Sequence, residues 1–398
     1  MEFSECSQTG LNMMIEISLK ILFWCAIFCT VYVYFLYPVL IWIISLFIRK
    51  HIDKTLNNED LPQVSLIIAA YNETDHIERK ILNCLSLDYP KDKIEIVIGS
   101  DGSDDGTNEI IDSYVAKGVN FFPHEKRRGK MAVVNDGVKV ATGEICIFTD
   151  VAELLEHDAV KKLVRNFANK NIGAVTGNHI YNFSDSELGK WTVLYWKYQR
   201  FLQRVESRVS TIFSCDGTIY ACRKKLYIPP PEETINDDKA VPLGIVRQGY
   251  RIVFEPEAVA RGDTLTETSS FYNQKRRSQA GMYQLLWMFK DMMFRIRSKR
   301  TWFMFMSHTV GPLVVPWMLA IILIINLCLY NVFPYSIFLI IQIVFYLSVI
   351  AGGYAHKHNY YVPLLYILYF FVLSNYASLA AFFLFLKGSQ NVTWDKVK

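Results

Sequence analysis

The sequence predicts an α/β domain held between apolar segments long enough to cross a membrane. Three observations carry that expectation. Short β-rich apolar runs alternate with helical patterns from about residue 60 to residue 263. Clusters of functional residues fall where those runs end: Asp101-Gly-Ser-Asp-Asp-Gly-Thr107, Thr149-Asp150, Asn236-Asp237-Asp238, and a later basic one, Gln274-Lys-Arg-Arg277. Hydrophobic residues make up 52% of the 398 and concentrate at the two ends rather than spreading evenly.

Taken in order, Leu19 to Ile48 carries no charge after Lys20 and closes on Arg49-Lys50. That exceeds the roughly 20 residues a bilayer crossing needs, so one tilted helix fits, or one broken at Pro38. A cleavable secretory leader would be shorter and end in a small-residue cleavage pattern, so residues 1–50 are expected to be a retained anchor. Val64–Ala70 predicts a buried parallel strand. Thr74 or Asp75 is placed to cap the next helix, whose apolar stripe is Ile77, Ile81, Leu82 and Leu85. Ile94–Ile98 is the second strand and runs into Asp101, and Thr107 is placed to cap a helix to about Lys117. Val119–Phe122 is a third strand, Lys130–Val140 a helix stopped at Gly143, and Glu144–Phe148 a fourth strand delivering Asp150.

Beyond Ile172 the pattern is more mixed. It holds an aromatic helix at Trp191–Val209, strands at Thr218–Cys222 and Arg251–Glu255, and a loop at Pro229-Pro230-Pro231. From Phe271 to Met306, residues such as Met282, Leu285, Phe289 and Met293 alternate with Lys290, Arg295, Arg297 and Arg300. This predicts helices in the membrane interface, with an ordinary core-packing helix as the alternative. Three apolar stretches follow, near Thr309–Tyr330, Phe333–Ile350 and Tyr361–Leu386. The expected division is an anchor (1–50), a globular domain (51–265), amphipathic helices (266–308), and a region of about three spans with a short tail (309–398).

A net charge of +4, with no basic stripe interleaved with aromatics outside the membrane flanks, argues against nucleic acid as a partner. The eight cysteines form no C-x-x-C pair, which argues against a zinc site or disulfide framework and fits a reducing cytosolic setting for the middle region.

Carboxylates at strand ends can hold a hard divalent cation, which neutralises a diphosphate, while a spare carboxylate acts as a base. Each cluster alone also has a plainer explanation. The Asp101–Thr107 run could be a tight turn, Lys130 behind Arg127-Arg128-Gly129 a solvated charge run, and Asp237-Asp238 a helix N-terminus. Glu153 could assist a metal or merely be solvated. The glycine spacing excludes a P-loop.

In order along the chain stand Tyr71-Asn72-Glu73, Asp101–Thr107, Arg128-Gly-Lys130 before Asn135-Asp-Gly137, Phe148-Thr-Asp150, Gly217-Thr218, Asn236-Asp-Asp238 and Gln274-x-x-Arg277. This series resembles the family 2 glycosyltransferases. The likeness is greatest to their membrane-embedded branch, which includes the cellulose, hyaluronan and poly-N-acetylglucosamine synthases, and it covers roughly residues 60–300. The resemblance implies a GT-A mixed-sheet domain between transmembrane helices, facing the cytosol at the inner or plasma membrane. It also implies a nucleotide-diphosphate sugar donor, a divalent ion (Mg²⁺ or Mn²⁺) and inversion at the anomeric carbon.

By that resemblance Tyr71, Glu73, Asp101 and Asp105 line the donor's uridine pocket, and Asp150 matches the first Asp of the metal-binding D-x-D. Asp238 matches the catalytic base, with Asp237 beside it. Lys130, Gln274 and Arg277 meet the diphosphate, and Gly217 and Thr218 meet the acceptor. Two positions depart from the pattern. Ala152 replaces the second Asp of D-x-D, leaving the metal to Asp150, the diphosphate and water. Ser278 replaces the Trp that stacks on a sugar acceptor, which leans the expected product towards a short glycan or a single sugar on a lipid. Long-polymer synthesis is the alternative, and for that a second copy or accessory subunit would add spans. A non-catalytic nucleotide-binding membrane protein or transporter is the expectation from another class. It would need no aligned base, and would carry more polar residues in its spans than Asn326, Gln342 and Asn375.

Overall fold

A computed structural model of the chain describes residues 2–48, 60–182, 187–263, 268–296, 298–358, 360 and 362–388, with side chains left out at 2–10, 181–182, 187–195, 263 and 268–271. Arg49, Lys50, Arg297 and the tail 389–398, all of which bear on membrane orientation, lie outside the described residues.

The chain enters as a helix, α1 (Glu2–Val31), which continues through one wide turn at Tyr32–Leu36 into α2 (Tyr37–Phe47). The anticipated break at Pro38 takes the form of that wide turn. Pro38 has no N–H to offer the preceding turn, and the N–H of Tyr37 bonds the carbonyl of Tyr32, five residues back.

The globular region is one eight-stranded mixed sheet in the order β3-β2-β1-β4-β7-β6-β8-β5. The strands are β1 (Val64–Ala70), β2 (Ile94–Ser100), β3 (Val119–Pro123), β4 (Ile145–Phe148), β5 (Leu154–Leu155), β6 (Ile172–Asn182), β7 (Tyr220–Arg223) and β8 (Arg251–Asp263). β1 pairs in parallel with β2 and with β4, so the strand order reverses between β1 and β4. The crevice at the carboxyl ends of strands flanking such a reversal is the usual ligand position in open α/β sheets. β7 runs antiparallel to both neighbours and makes the sheet mixed.

Between strands lie α3 (Ile77–Leu85), α4 (Thr107–Asp112), α5 (Lys130–Val140), α6 (Ala159–Val164), α7 (Glu187–Val209) and α8 (Asp237–Arg247). On one sheet face, Ile77, Ile81, Val160 and Leu163 are fully buried against Leu66 and Ile68. The other face packs Val134, Val205, Tyr220 and Leu243. Two helix starts differ from expectation. α3 begins at Ile77 without a side-chain cap, because the Thr74 hydroxyl is spent on Asp105. α4 starts after Gly106, and Thr107 receives a cap from Asp105 rather than supplying one.

Next come α9 (Thr268–Met288), α10 (Met292–Arg295) and α11 (Lys299–Met304), then α12 (Gly311–Cys328), α13 (Tyr335–Lys357) and α14 (Pro363–Lys387). Leu285, Phe289 and Met292 are buried in the sheet domain's core, which also takes Tyr37, Ile41 and Phe305 from the apolar helices. The core-packing alternative therefore holds for that face of α9, while Trp287 and Phe294 stay exposed beside Lys290 and Arg295. Among the described residues, four helical segments are long and apolar enough to cross a membrane: Leu11–Phe47, Lys299–Cys328, Tyr335–Lys357 and Pro363–Lys387.

Candidate active site

Two loops close over the carboxyl ends of β1 and β2. Asp101 follows β2 and is fully buried. Its Oδ1 accepts from the Arg128 N–H at 2.7 Å and its Oδ2 from the Gly129 N–H at 2.9 Å. Gly102 permits this approach: its φ is +72°, and a Cβ there would stand 2.9 Å from the Arg127 nitrogen. Asp105 secures the adjoining turn by accepting from both the N–H and the hydroxyl of Thr107, and from the Thr74 N–H. Burial alone would raise the Asp105 carboxyl; the hydrogen bonds from Thr107 and Thr74 outweigh it and hold it down at about 2. The Arg127 guanidinium lies 3.9 Å from the centre of the Tyr71 ring, and the Glu73 N–H donates to the Thr107 hydroxyl at 2.8 Å. The four residues expected at the donor base thus lie in two interlocked loops at the ends of β1 and β2. The carboxylates of Asp101 and Asp105 bind the protein's own N–H and O–H groups and fix these loops.

A second assembly lies at the ends of β4 and β7. Lys130 opens α5 and puts its Nζ 2.8 Å from Asp150 Oδ1 and 3.2 Å from Asp237 Oδ2. One amine therefore joins the loop after β4 to the first turn of α8. Burial opposes the charge on Lys130, but Asp150 and Asp237 more than compensate, and its pKa is raised. Asp237 and Asp238 do occupy a helix N-terminus, as the plainer explanation held, and the same placement aims them at Lys130.

Asp238 lies against the acceptor motif. A Cβ on Gly217 would come within 3.5 Å of the Asp238 Cβ, and the Asp238 carbonyl accepts from the Cys215 N–H at 2.8 Å. Thr218 is turned by its N–H and hydroxyl, both donating to Asp216 (3.2 and 2.7 Å). Burial pushes the Asp238 carboxyl up to about 6, with Lys239 opposing and Asp237 adding to the rise. Glu153 proves shielded rather than solvated. Burial first, and Asp150 next, push it up to about 7, and its Oε2 has no hydrogen-bond partner.

Five carboxyl groups (Asp150, Glu153, Asp216, Asp237 and Asp238) thus interact in one region with Lys80, Lys130 and Lys239; two of them are raised, and Glu153 Oε2 is orphaned among the described residues. The orphaned, shielded carboxylate oxygen beside Asp150 fits a divalent cation. Among the described residues, no group of three or more His, Cys, Asp or Glu side chains is placed to hold one. Such a cation would take Asp150 from the chain and its remaining ligands from phosphate oxygens and water.

Gln274 and Arg277 stand on α9 about one turn apart, and the same helix docks on the Asn236 loop. Asn236 Nδ2 donates to the Ser278 carbonyl at 2.8 Å, and Gln284 accepts from the Ile235 N–H and donates to the Glu233 carbonyl. A Cβ on Gly281 would lie 2.6 Å from Asn236 Nδ2, so glycine alone admits this contact. The triple-proline loop is fixed from its other side, where Asn135 Nδ2 donates to the Pro230 carbonyl at 2.9 Å. Sequence reasoning missed Gly281, Gln284 and Lys80. For Lys80 a signal existed: with Ile77, Ile81 and Cys84 it occupies the buried side of α3, an apolar stripe interrupted by one charge.

Residues 65–227 match the family described as glycosyl transferase family 2. The chain is 29% identical over 263 residues to the poly-beta-1,6-N-acetyl-D-glucosamine synthase of Staphylococcus aureus (strain MSSA476), covering 64% of this chain and 62% of that protein. A synthase of the same description from Staphylococcus epidermidis is 28% identical over 250 residues, covering 61% and 60%. The aligned part therefore spans about three-fifths of either relative. Among solved structures, a mannosyltransferase from Pyrobaculum calidifontis, determined with GDP-Man and Mn²⁺, superposes over 93% of this chain and 100% of its own, with a TM-score of 0.70 at 22% identity. That likeness establishes the fold, apolar helices included.

Proposed function

The chain carries a glycosyl transferase family 2 domain over residues 65–227, and from that premise we propose a membrane-bound, inverting glycosyltransferase. Its donor is a nucleotide-diphosphate sugar, UDP-linked by the resemblance of its pocket, and its acceptor is a hydroxyl on a lipid or glycan. The observation that carries this reading is the bridge from Lys130 to Asp150 and Asp237, with Asp238 beside Gly217. It joins a diphosphate-facing cation, a metal-binding carboxylate and a base in one crevice.

The pocket of Tyr71, Glu73, Asp101 and Asp105 holds the nucleotide. Asp150 would hold a divalent ion, Mg²⁺ or Mn²⁺, whose Lewis acidity stabilises charge on the diphosphate. Lys130 and Arg277 add fixed positive charge to the leaving group, and Gln274 helps to orient it. Asp238 accepts the proton of the acceptor hydroxyl as that oxygen attacks the anomeric carbon from the face opposite the diphosphate. Gly217 and Thr218 frame the acceptor. The sheet domain faces the cytosol, where nucleotide sugars are made, at the inner or plasma membrane.

Ser278 offers no stacking surface, which favours a short product. Processive polysaccharide synthesis is favoured instead by the staphylococcal relatives' description as polymer synthases. A second copy or an accessory subunit would enlarge the membrane path for a polymer. A screen of radiolabelled nucleotide sugars on purified protein, with mass spectrometry of lipid and glycan fractions, tests the activity. Transfer from one donor is expected, and no transfer from any of them contradicts it. A time course at limiting enzyme then separates the products: a distribution growing from one sugar supports the short one, and high polymer beside unextended acceptor supports the synthase.

A further inference from the structure

The loop that presents Asp150, from Thr149 to Leu155, sends Val151 and Leu155 into the sheet core and leaves Ala152 exposed between them. It leaves β4 and ends in β5, whose only ladder partner among the described residues is β8, at Leu154–Arg261 and Leu155–Ala260. Beside it opens a surface cleft of about 430 Å³ lined by Arg79, Asn83, Ala152, Leu155, Arg261 and Gly262. On the cleft side the loop lacks the close apolar contacts that hold most backbone in register.

Two side chains from α3 take their place. Lys80, with no exposed surface, donates from Nζ to the Thr149 hydroxyl at 2.7 Å and to the Glu153 carbonyl at 2.5 Å. It thus spans the loop by a chord, gripping the residue before Asp150 and the third residue after it. It makes no ion pair among the described residues, so both its bonds go to this loop. Asn83, one turn along, accepts from the Leu155 N–H at 2.9 Å and donates to the Leu155 carbonyl at 2.8 Å, as a neighbouring strand would. α3 is anchored independently by Ile77, Ile81 and Cys84, each buried. Burying an amine costs free energy unless its hydrogen bonds are satisfied, and here the loop alone satisfies them.

We infer that Lys80, assisted by Asn83, is a positioning residue that sets the Asp150 loop for the metal–diphosphate group of the donor. This rests on the donor-site reading above, because it concerns how Asp150 is held rather than what Asp150 binds. Partners behind a metal ligand commonly change metal affinity about 10–100-fold when removed, and small misplacements of a reacting group cost comparable factors in rate.

The test uses full-length protein in detergent with Lys80→Met, Thr149→Val and Thr149→Ser. Three quantities are read: donor and acceptor KM, UDP binding with and without Mn²⁺, and hydrogen exchange of residues 149–155 without metal. Lys80→Met is expected to raise donor KM and weaken Mn²⁺-dependent UDP binding by about tenfold or more, with acceptor KM nearly unchanged. Exchange in the loop should quicken while β1 and β4 stay protected. Thr149→Val should reproduce part of this and Thr149→Ser should restore wild-type values. In the Thr149→Val background the Lys80→Met effect should shrink, because one bond is shared.

Equal shifts in donor and acceptor KM, strictly additive effects, or unaltered loop exchange would overturn the positioning role. Should Lys80→Met fail to fold, the Val and Ser variants at position 149 decide the matter alone. Asp150→Ala separates the two levels. If it keeps wild-type Mn²⁺-dependent UDP binding, the donor-site reading falls and takes the positioning role with it. If it loses that binding while Lys80→Met and Thr149→Val retain it, only the positioning role falls.

Discussion

Lys130 stands between two carboxylates that would otherwise face each other across the crevice. Lys130→Met should therefore cost transfer about 10²–10³-fold in kcat, the usual effect of deleting one fixed charge-stabilising group. Turnover at saturating donor measures it. Asp238 gives the pH dependence. Burial raises its carboxyl to about 6, so the proton is held up to that pH and the basic form exists only above it. The sign follows directly: kcat/KM should fall as pH drops through about 6 and level off above it. A profile flat from pH 5 to 7 would exclude Asp238 as the base. At this scale the site was legible where a carboxylate ends a strand, as at Asp101 and Asp150, because a buried run fixes where the next residue emerges. At Lys80 the sequence shows only a charge interrupting the apolar stripe of α3; its partners, a hydroxyl and a backbone carbonyl far along the chain, are reported by no local pattern.

At the scale of elements, α9 is the support of the Asn236 loop, and Gly281 is what admits it. Gly281→Ala would place a methyl 2.6 Å from Asn236 Nδ2, and overpacking of this kind costs about 1–3 kcal/mol. Thermal stability, kcat and UDP binding should all fall, because Gln274 and Arg277 on the same helix are assigned to the donor diphosphate. Wild-type turnover in this variant would remove α9 from the account. The parallel strands β1, β2 and β4 could be read from their apolar runs, which Ser65 and Glu95 interrupt only singly. β6 could not: Gly173, Thr176, Gly177 and His179 interrupt its alternation, and its ladder with β8 shifts register twice. β5 is too short for any period to show. Thr74 illustrates a local rule overridden, since a hydroxyl suited to capping one helix is drawn to the carboxylate of another turn.

At the scale of the whole molecule, Glu206 ties the sheet domain to its apolar helices. It is 1% exposed, accepts from the Tyr37 hydroxyl at 2.5 Å and lies 2.8 Å from His308 Nδ1. Tyr37 and His308 belong to two different membrane-length helices. Glu206→Ala leaves both without their partner, and losses from breaking a buried polar pair run to about 3–5 kcal/mol. A clear fall in Tm of the detergent-solubilised protein is expected, and an unchanged Tm would dissociate this cluster from the architecture. The apolar helices were readable from length and charge alone, but the wide turn before Pro38 and the docking through Glu206 depend on packing partners distant in sequence. Orientation has its own test. A cysteine at the exposed Lys170 should stay unlabelled by a membrane-impermeant maleimide in intact cells, and labelling there would place the sheet domain outside.

The central claim is a division of labour between two carboxylates in one crevice, and paired binding and transfer measurements on Asp238→Asn and Asp150→Ala test it most directly. The base is needed only as the acceptor proton departs, so Asp238→Asn should bind UDP with wild-type Mn²⁺ dependence while transfer falls by about 10²–10⁴-fold. Asp150→Ala should lose the Mn²⁺-dependent part of UDP binding together with turnover. Wild-type metal dependence of binding in both variants, or undiminished transfer in Asp238→Asn, would contradict the account.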